Sequence, residues 1–147
     1  MSAVDIHTEA ATRLAALDQR YTRGRRAIVD ALQTAARPLT VPEILDAGVG
    51  RAVPMSSAYR NLNVLLEAGV VHRVPGADEF ARYELAERLA GHHHHLMCGE
   101  CGDVIDVPSS PRLEKALRDA ADLVATDNDF EVTGHRIDLL GRCSKCR

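Results

Sequence analysis

Apolar residues recur at helical spacing from Ile6 to Leu66 and divide this part of the chain into four segments. A period near 3.6 residues is typical of amphipathic helices. The segments are DIHTEAATRLAALDQR, TRGRRAIVDALQT, a short one from Thr40 to about Gly48, and SSAYRNLNVLLEAG. We therefore predict four helices. The apolar face of the first comprises Ile6, Ala10, Leu14 and Leu17.

Capping residues mark the ends of three of these helices. A threonine opens the second helix, and Thr40 with Glu43 predicts a capping box at the start of the third. Ser56 or Ser57 is the predicted cap of the fourth helix, and Gly69 is its predicted stop.

After Gly69 the apolar period changes from helical to alternating. The segments VVHRV (70–74) and FARYEL (80–85), separated by a PGAD turn, predict two short antiparallel strands. Three or more helices followed by a hairpin is the order of a winged helix-turn-helix, whose last helix enters the DNA major groove. The same order occurs in proteins that never touch DNA, so the pattern alone leaves both interpretations open. The candidate base-contacting residues, all off the apolar stripe, are Ser56, Ser57, Tyr59, Arg60 and Asn63.

The charge is divided unevenly along the 147 residues. The net charge of −3 argues weakly against nucleic-acid binding, but residues 1–75 carry nine arginines against seven acids, whereas residues 76–147 carry nine basic residues against fourteen acids. Four arginines fall within seven residues and form a candidate phosphate-contacting patch. They are Arg20, Arg23, Arg25 and Arg26, of which Arg23 and Arg25 are the predicted DNA contacts.

Alternation continues through the second half and predicts a small α+β unit. HHLMC (94–98), DVIDV (103–107) and FEVTGHRIDLLGRC (130–143) are predicted strands, the last a long one. Between them SPRLEKALRDAADLVA predicts a helix with Ser110 as cap and Pro111 in its first position. The fold class is therefore α+β.

Four cysteines form the strongest local motif. Cys98 and Cys101 are followed, after 41 intervening residues, by Cys143 and Cys146. Two Cys-x2-Cys turns at strand ends can complete a closed four-sulfur zinc site. A redox pair or four free thiols are the alternatives, but neither accounts for two such turns. No signal peptide or membrane-spanning run is apparent, so we expect a cytoplasmic protein, whose reducing surroundings favour thiolate ligands over disulfides. With aromatic residues at only 3%, a structural metal or a dimer interface would also supply stability.

Four consecutive histidines precede the first cysteine pair. The run is internal, unlike a terminal purification tag. Side chains alternate along a strand, so His92 and His94 face one way while His93 and His95 face the other. We therefore expect the segment HHHHLMCGEC to contribute to three metal sites.

The ordered combination YTRGRRAIVDAL, SSAYRNLNVLLEAGVVHRV, HHHHLMCGECG and GRCSKC resembles the ferric uptake regulator (Fur) superfamily of bacterial metal-dependent repressors, over residues 20–146. Its pattern is most similar to the zinc uptake regulator branch. The resemblance implies an N-terminal winged-helix DNA-binding domain (1–85), a hinge (86–91), and a C-terminal α/β dimerisation and metal-binding domain (92–147). It also implies a metal-loaded homodimer that binds an inverted-repeat operator in double-stranded DNA.

Matching positions one by one, the resemblance implies two metal sites besides the structural one. The regulatory site would comprise His72, Glu84, His93 and His95, with Asp106 as a further ligand and Glu87 as a substitute for Glu84. The accessory site would comprise His92, His94, Glu114 and His135.

One departure bears on which metal is sensed. Iron-type members place a sensory histidine where this chain has Arg37 or Pro38, which favours zinc. Imidazole and carboxylate also bind Fe²⁺, Mn²⁺ and Ni²⁺, so sensing of iron, manganese, nickel or peroxide is the alternative. A zinc hydrolase or deaminase is disfavoured because the chain lacks HExxH and the deaminase pairing of H-x-E with P-C-x-x-C. Passive metal storage would leave the winged helix unused. His7, isolated from the clusters, is expected to be ordinary surface.

Overall fold

The computed structural model describes residues 5–76 and 78–147. Residues 1–4 of the predicted first domain, and Ala77 of the predicted PGAD turn, fall outside the described residues. The N-terminal half contains helices α1 (Ile6–Ala15), α2 (Arg23–Ala35), α3 (Val41–Asp46) and α4 (Met55–Glu67), with strands β1 (Leu39–Thr40), β2 (Val71–Val74) and β3 (Arg82–Leu85). The C-terminal half contains α5 (Glu87–Ala90), β4 (His93–Cys98), β5 (Val104–Pro108), α6 (Pro111–Asn128) and β6 (Asp138–Gly141).

Side-chain caps fix most helix ends where the sequence predicts them. Thr22 accepts a hydrogen bond from the backbone N–H of Arg25, and both bonds of the Thr40–Glu43 capping box are present. Gly69 follows α4 with φ at +64°, a conformation that costs glycine little. Ser110 caps α6 as predicted.

Helix α4 begins earlier than the serine-cap prediction. Its N-cap is Pro54, which makes no side-chain capping bond, and Ser56 and Ser57 therefore lie inside the first turn. Pro54 has a φ of −69° and extended ψ, so the chain is already set to enter a helix at Met55. Leu17 was also predicted wrongly, because α1 ends at Ala15 and leaves Leu17 40% exposed.

One hydrophobic core unites the N-terminal half. The helices pack over a three-stranded antiparallel sheet in the order β1-β3-β2. The two-residue strand β1 was not predicted, since it is too short to show alternation. The side chains fully enclosed in this core include Leu14, Ile28, Val29, Ile44, Leu62, Leu65, Val70 and Val71.

The C-terminal half is packed differently. Strand β4 lies at the centre of a second sheet, antiparallel to β5 and parallel to β6. Helix α6 has no buried residue. This half also carries most of the large apolar side chains that are exposed: Leu96, Ile105, Leu113, Leu123, Val124, Phe130, Val132, Leu139 and Leu140.

The predicted long strand 130–143 is mostly wrong. Only Asp138–Gly141 is a strand, paired with β4 in the register His95 to Asp138. In this register Arg136 lies opposite His93, the first residue of β4, so residues 130–135 lie beyond the start of β4. They form no strand.

The segment between the two halves is ordered. Residues 87–90 form the one-turn helix α5, and Leu89 on it is buried against the N-terminal core. The predicted hinge (86–91) therefore contains an ordered helical turn in this conformation. A second contact joins the halves where Gly102, with φ at +72°, lies so close to the Asp78 carboxylate that a side chain there would collide with it. No helix within residues 5–76 and 78–147 combines the length and apolarity needed to cross a lipid bilayer.

Candidate metal centres

The four cysteines meet although 41 residues separate the first pair from the second. The parallel pairing of β6 with β4 brings Gly141 beside Cys98, which places the two Cys-x2-Cys turns together. All four sulfurs lie within 4.8 Å of one another, and Cys101 Sγ is 3.7 Å from Cys143 Sγ. Thiolates on one tetrahedral zinc, with Zn–S bonds of about 2.3 Å, are separated by roughly 3.8 Å. The cluster therefore fits a four-sulfur ion.

Hydrogen bonds from backbone N–H groups favour the thiolate form of Cys98. Hydrogen bonds from the backbone of Cys101, Cys143 and Glu100 lower the pKa of Cys98 to about 6. The neighbouring sulfur of Cys143 raises the pKa of Cys146 to about 12, because clustered thiolates repel one another. A cation at the centre would remove this repulsion.

Glu84 is the centre of the second cluster. It lies on β3, and its Oε2 is 3.1 Å from His93 Nε2 and 3.0 Å from His95 Nε2, both on β4. Its other oxygen, Oε1, is 2.6 Å from His72 Nε2 on β2. Ligand-bearing atoms from both halves of the chain thus converge on one carboxylate.

Asp106 on β5 completes this regulatory cluster. Its two oxygens lie 3.9 Å from His93 Nε2 and 3.8 Å from His95 Nε2. Glu84, His93, His95 and Asp106 together have ligand atoms within 4.8 Å of one another. His72 is outside this tightest set and contacts its member Glu84.

The protonation preferences follow from this crowding. Burial opposes ionisation of Glu84, but its contacts with His72, His95 and His93 outweigh that effect and lower the pKa of Glu84 below its usual value. Burial likewise opposes charging of His93 and His95, yet the carbonyl of Gly91 and then Glu84 raise the pKa of His93, and contact with Glu84 raises the pKa of His95. Burial, together with repulsion from Glu84, raises the pKa of Asp106.

Two buried oxygens in this cluster lack hydrogen-bond donors. Glu84 Oε1 and Asp106 Oδ1 are enclosed and have no hydrogen-bond partner among the described residues, although His72 Nε2 lies 2.6 Å from Glu84 Oε1. An unsatisfied buried carboxylate oxygen is costly unless a cation or donor joins it. The donor set and the orphaned oxygens fit a divalent cation.

The opposite face of β4 carries the accessory cluster. His94 Nε2 is 2.7 Å from Glu114 Oε1, and Glu114 Oε2 is 3.3 Å from His92 Nε2 and 3.2 Å from His135 Nε2. Contact with His94 lowers the pKa of Glu114. The four ligand atoms lie within 4.8 Å of one another, so this cluster also fits one ion.

The structure also reveals partners that the sequence analysis missed. His95 Nδ1 is 2.9 Å from Asp138 Oδ1, and His93 Nδ1 is 2.9 Å from the carbonyl oxygen of Gly91. Such bonds fix which ring nitrogen faces a metal. Asp138 could have been found only from the register of β6 on β4, which the sequence does not display.

The prediction that His7 is an ordinary surface residue is wrong, because its ring has a partner on each nitrogen. Its Nδ1 lies 2.7 Å from the hydroxyl oxygen of Tyr21, and its Nε2 lies 3.0 Å from Asp30 Oδ1. His7 thus ties α1 to α2. Burial raises the pKa of Tyr21 to about 12.

The predicted DNA-contacting residues lie on α2 and α4. Arg23, Ser56, Tyr59 and Arg60 are exposed, while Ser57 is half-buried and accepts a hydrogen bond from Arg60. Arg25 is partly engaged within the protein, because its Nε donates to Asn61 Oδ1 at 3.3 Å. The exposed early face of α4 is therefore available to a partner.

Comparisons with known proteins agree with one another. The model of the "Ferric uptake regulator family" matches residues 16–140. The ferric uptake regulation protein of Campylobacter jejuni is 31% identical over 86% of this chain and 79% of its own length. The transcriptional regulator FurA of Mycobacterium tuberculosis is 31% identical over 92% of this chain and 88% of its own.

Solved structures show the same likeness. The Vibrio cholerae ferric uptake regulator has a TM-score of 0.68 at 26% identity, covering 90% of this chain and 98% of that one. A structure described as a zinc-bound manganese uptake regulator has a TM-score of 0.69 at 28% identity, covering 95% of this chain and 99% of that one. The fold is thus an N-terminal winged-helix DNA-binding domain followed by a small α/β dimerisation domain.

Proposed function

Because this chain belongs to the ferric uptake regulator family of metal-responsive transcriptional regulators, we propose that it is a zinc-sensing repressor that binds operator DNA as a metal-loaded homodimer. The observation that carries the proposal is the convergence of Glu84 from the N-terminal domain with His93 and His95 from the C-terminal domain. A bound divalent cation would supply a positive centre for these lone pairs. The predicted domain boundaries, 1–85, 86–91 and 92–147, belong to the same proposal.

Metal binding by residues from both domains would fix the angle between the two domains. His72 and Glu84 lie on the two long strands of the wing, directly after the recognition helix α4. His93 and His95 lie on the central strand of the second sheet. When both pairs face one centre, the wing is fixed against β4, and α4 is held at one angle to the C-terminal domain.

In a dimer, the interdomain angle sets the distance between the two recognition helices and therefore the affinity for DNA. The exposed apolar side chains of the C-terminal domain, such as Leu139 and Leu140, support this domain as the surface joined to a second copy. Two recognition helices read adjacent major grooves only when they are about 34 Å apart. If one interdomain angle gives that spacing, metal and operator binding strengthen each other, typically by roughly 1–3 kcal/mol.

The absence of a ligand residue at positions 37 and 38 supports zinc as the sensed metal. Arg37, where iron-type members carry a histidine, is engaged by Glu43 Oε1 at 3.0 Å, and Pro38 has no ligand atom. Among the described residues of the N-terminal domain, His72 on β2 and Glu84 on β3 are the ones that reach this cluster. Three imidazoles with one carboxylate suit Zn²⁺.

A second candidate, an iron- or manganese-responsive regulator, is favoured by Asp106. This carboxylate lies in the tightest regulatory set, whereas His72 does not. Two carboxylates with two imidazoles suit Fe²⁺ and Mn²⁺ as well as zinc.

The test begins with a pool of randomised duplex DNA passed over the protein in buffered Zn²⁺, Fe²⁺, Mn²⁺ or Ni²⁺. We expect a defined inverted repeat to be retained at the lowest free concentration with zinc. Retention with iron or manganese at concentrations where zinc fails would favour the second candidate. No retention with any metal would reject the function and favour metal storage.

Two substitutions separate the sites. His93→Ala should abolish metal-dependent retention while the protein stays folded and keeps its structural zinc. Cys98→Ser should release the structural zinc and unfold the C-terminal domain. Unfolding by both substitutions to the same extent would reject the division into regulatory and structural centres.

A further inference from the structure

Glu87 is an acidic residue that no metal cluster uses. It is the first residue of α5, the one-turn helix between the two domains, and its side chain is 57% exposed. Its carboxylate nevertheless contacts Nδ1 of His92, five residues along the chain. An exposed glutamate that contacts a neighbouring ring nitrogen is in a position to orient that ring.

His92 divides its two nitrogens between two parts of the molecule. Its Nε2 faces the accessory cluster, 3.1 Å from His135 Nε2 and 3.3 Å from Glu114 Oε2. Its Nδ1 faces Glu87. His95 has the same arrangement in the regulatory cluster, with Nε2 toward Glu84 and Nδ1 toward Asp138.

Carboxylates behind ligating histidines have a known physical role. They fix the ring orientation, select the tautomer and raise the basicity of the nitrogen that faces the metal, and their loss typically weakens metal binding about 10–100-fold. Asp138 plays this part from within the C-terminal domain. Glu87 differs because it stands on the segment that connects the domains.

The position of Glu87 is tied to the N-terminal domain. Leu89, two residues away on α5, is buried against the N-terminal core, and the backbone N–H of Leu89 donates to the carbonyl of Ala86 directly after β3. Glu87 also lines the same open cavity as Glu84 and His72 on one side and His135 on the other. A change of interdomain angle must therefore move Glu87 relative to His92.

We propose that Glu87 is a positioning residue through which the accessory cluster responds to the interdomain angle. In the arrangement described here, Glu87 contacts Nδ1 of His92 and orients the ring so that Nε2 faces the accessory cluster. When α5 is displaced, this contact is lost and the ring is no longer oriented. The accessory cluster then binds metal more tightly when the domains are set for DNA, and its occupancy in turn favours that setting. This inference rests on the proposed function for its DNA step only.

The first arm needs no DNA. Zinc would be titrated into the full-length protein against a competing chelator, for wild type, Glu87→Ala, Glu87→Gln and the control Glu131→Gln, whose glutamate is exposed and outside the clusters. Glu114→Ala, which removes an accessory ligand, identifies the accessory binding step. We expect Glu87→Ala to weaken that step about 10–100-fold, Glu87→Gln to weaken it less, and the structural and regulatory steps to stay unchanged.

Two results of this arm would overturn the proposal. One is an accessory affinity in Glu87→Ala equal to that of wild type and Glu131→Gln. The other is the absence of any zinc-binding step in wild type that Glu114→Ala removes.

The second arm repeats the titration with saturating operator duplex. In wild type the duplex should tighten the accessory step, and in Glu87→Ala that tightening should disappear. If the duplex tightens the step equally in both, Glu87 is a local support for His92 and the coupling is refuted. If no duplex binds with any metal, the proposed function fails, while the first arm still reports on Glu87.

Discussion

The two domains of this chain achieve their stability in different ways. In the N-terminal domain large side chains such as Leu14, Ile28 and Leu62 are fully enclosed in one core, to which helices α1 to α4 all contribute. In the C-terminal domain α6 buries no residue, and Leu123, Val124, Leu139 and Leu140 are all more than half exposed. A layer that leaves one face uncovered does not form a complete core. We infer that the first domain has a complete core of its own, whereas the second needs a bound metal and a second copy of the chain to complete its packing.

We propose that zinc held by the four cysteines and a second copy packed on the exposed apolar residues supply that missing stability. The zinc site would link the end of β4 to the end of β6. The apolar face is exposed in the single chain and would be buried in a dimer. The zinc site and the apolar face can be disrupted separately, by different substitutions.

The largest effect is expected from Cys98→Ser. Structural zinc contributes on the order of 10 kcal/mol in small zinc domains, so the C-terminal domain should lose its fold while the N-terminal domain keeps its own. Hydrogen exchange should show protection lost in β4, β5 and β6 but kept in α2 and α4. The control is Ser144→Ala, an exposed position between two of the cysteines. Loss of protection in both domains together would show that they fold as one unit.

Leu62→Ala is the mirror-image experiment. Leu62 is fully buried at the centre of the N-terminal core, and truncation of such a leucine costs about 3–5 kcal/mol. Thermal unfolding should show the N-terminal transition lowered and the C-terminal one unchanged. An equal shift of both transitions would contradict independent stability.

Leu140→Glu tests the uncovered surface. Leu140 is 76% exposed in the single chain, so a charge there costs nothing in the monomer but would be buried unpaired in a dimer formed through this face. Sedimentation should show at least a tenfold weaker dimer. Met55→Glu, at an exposed apolar position in the other domain, should leave the dimer intact. Equal dimer strength in both variants would place the interface elsewhere.

The smallest effects come from matched helix caps. Thr22→Ala and Ser110→Ala each remove one side-chain cap, worth about 1 kcal/mol. In the N-terminal domain the loss should appear directly in chemical unfolding. In the C-terminal domain it should depend on protein concentration, because the stability of that domain is linked to dimerisation. Concentration independence of the Ser110→Ala effect would argue against that linkage.

The features that depend on neighbouring residues along the chain could be predicted from sequence. The Thr40–Glu43 box, Gly69 after α4 and Ser110 before α6 all act within one turn of helix, and the structure confirms them. The alternation of the histidine run is equally local, and it assigns opposite faces of β4. The use of each cluster as a metal site stays a prediction.

Features set by pairing between distant segments were missed. The contact of Asp138 with His95 depends on the parallel register of β6, and the shortness of β6 depends on where β4 begins. The contact of Glu87 with His92 depends on α5, a helical turn that forms in the segment predicted only as a hinge. His7 was misjudged for the same reason, since its partners lie 14 and 23 positions away in the chain.

The central claim is that the ion held by Glu84, His93 and His95 and the operator select the same interdomain angle. The most direct test measures zinc affinity at the regulatory cluster with and without saturating operator duplex, in protein whose four-cysteine site is already filled. The duplex should tighten zinc binding by the same factor by which zinc tightens duplex binding, roughly 5–150-fold. An identical zinc affinity with and without the duplex would contradict it.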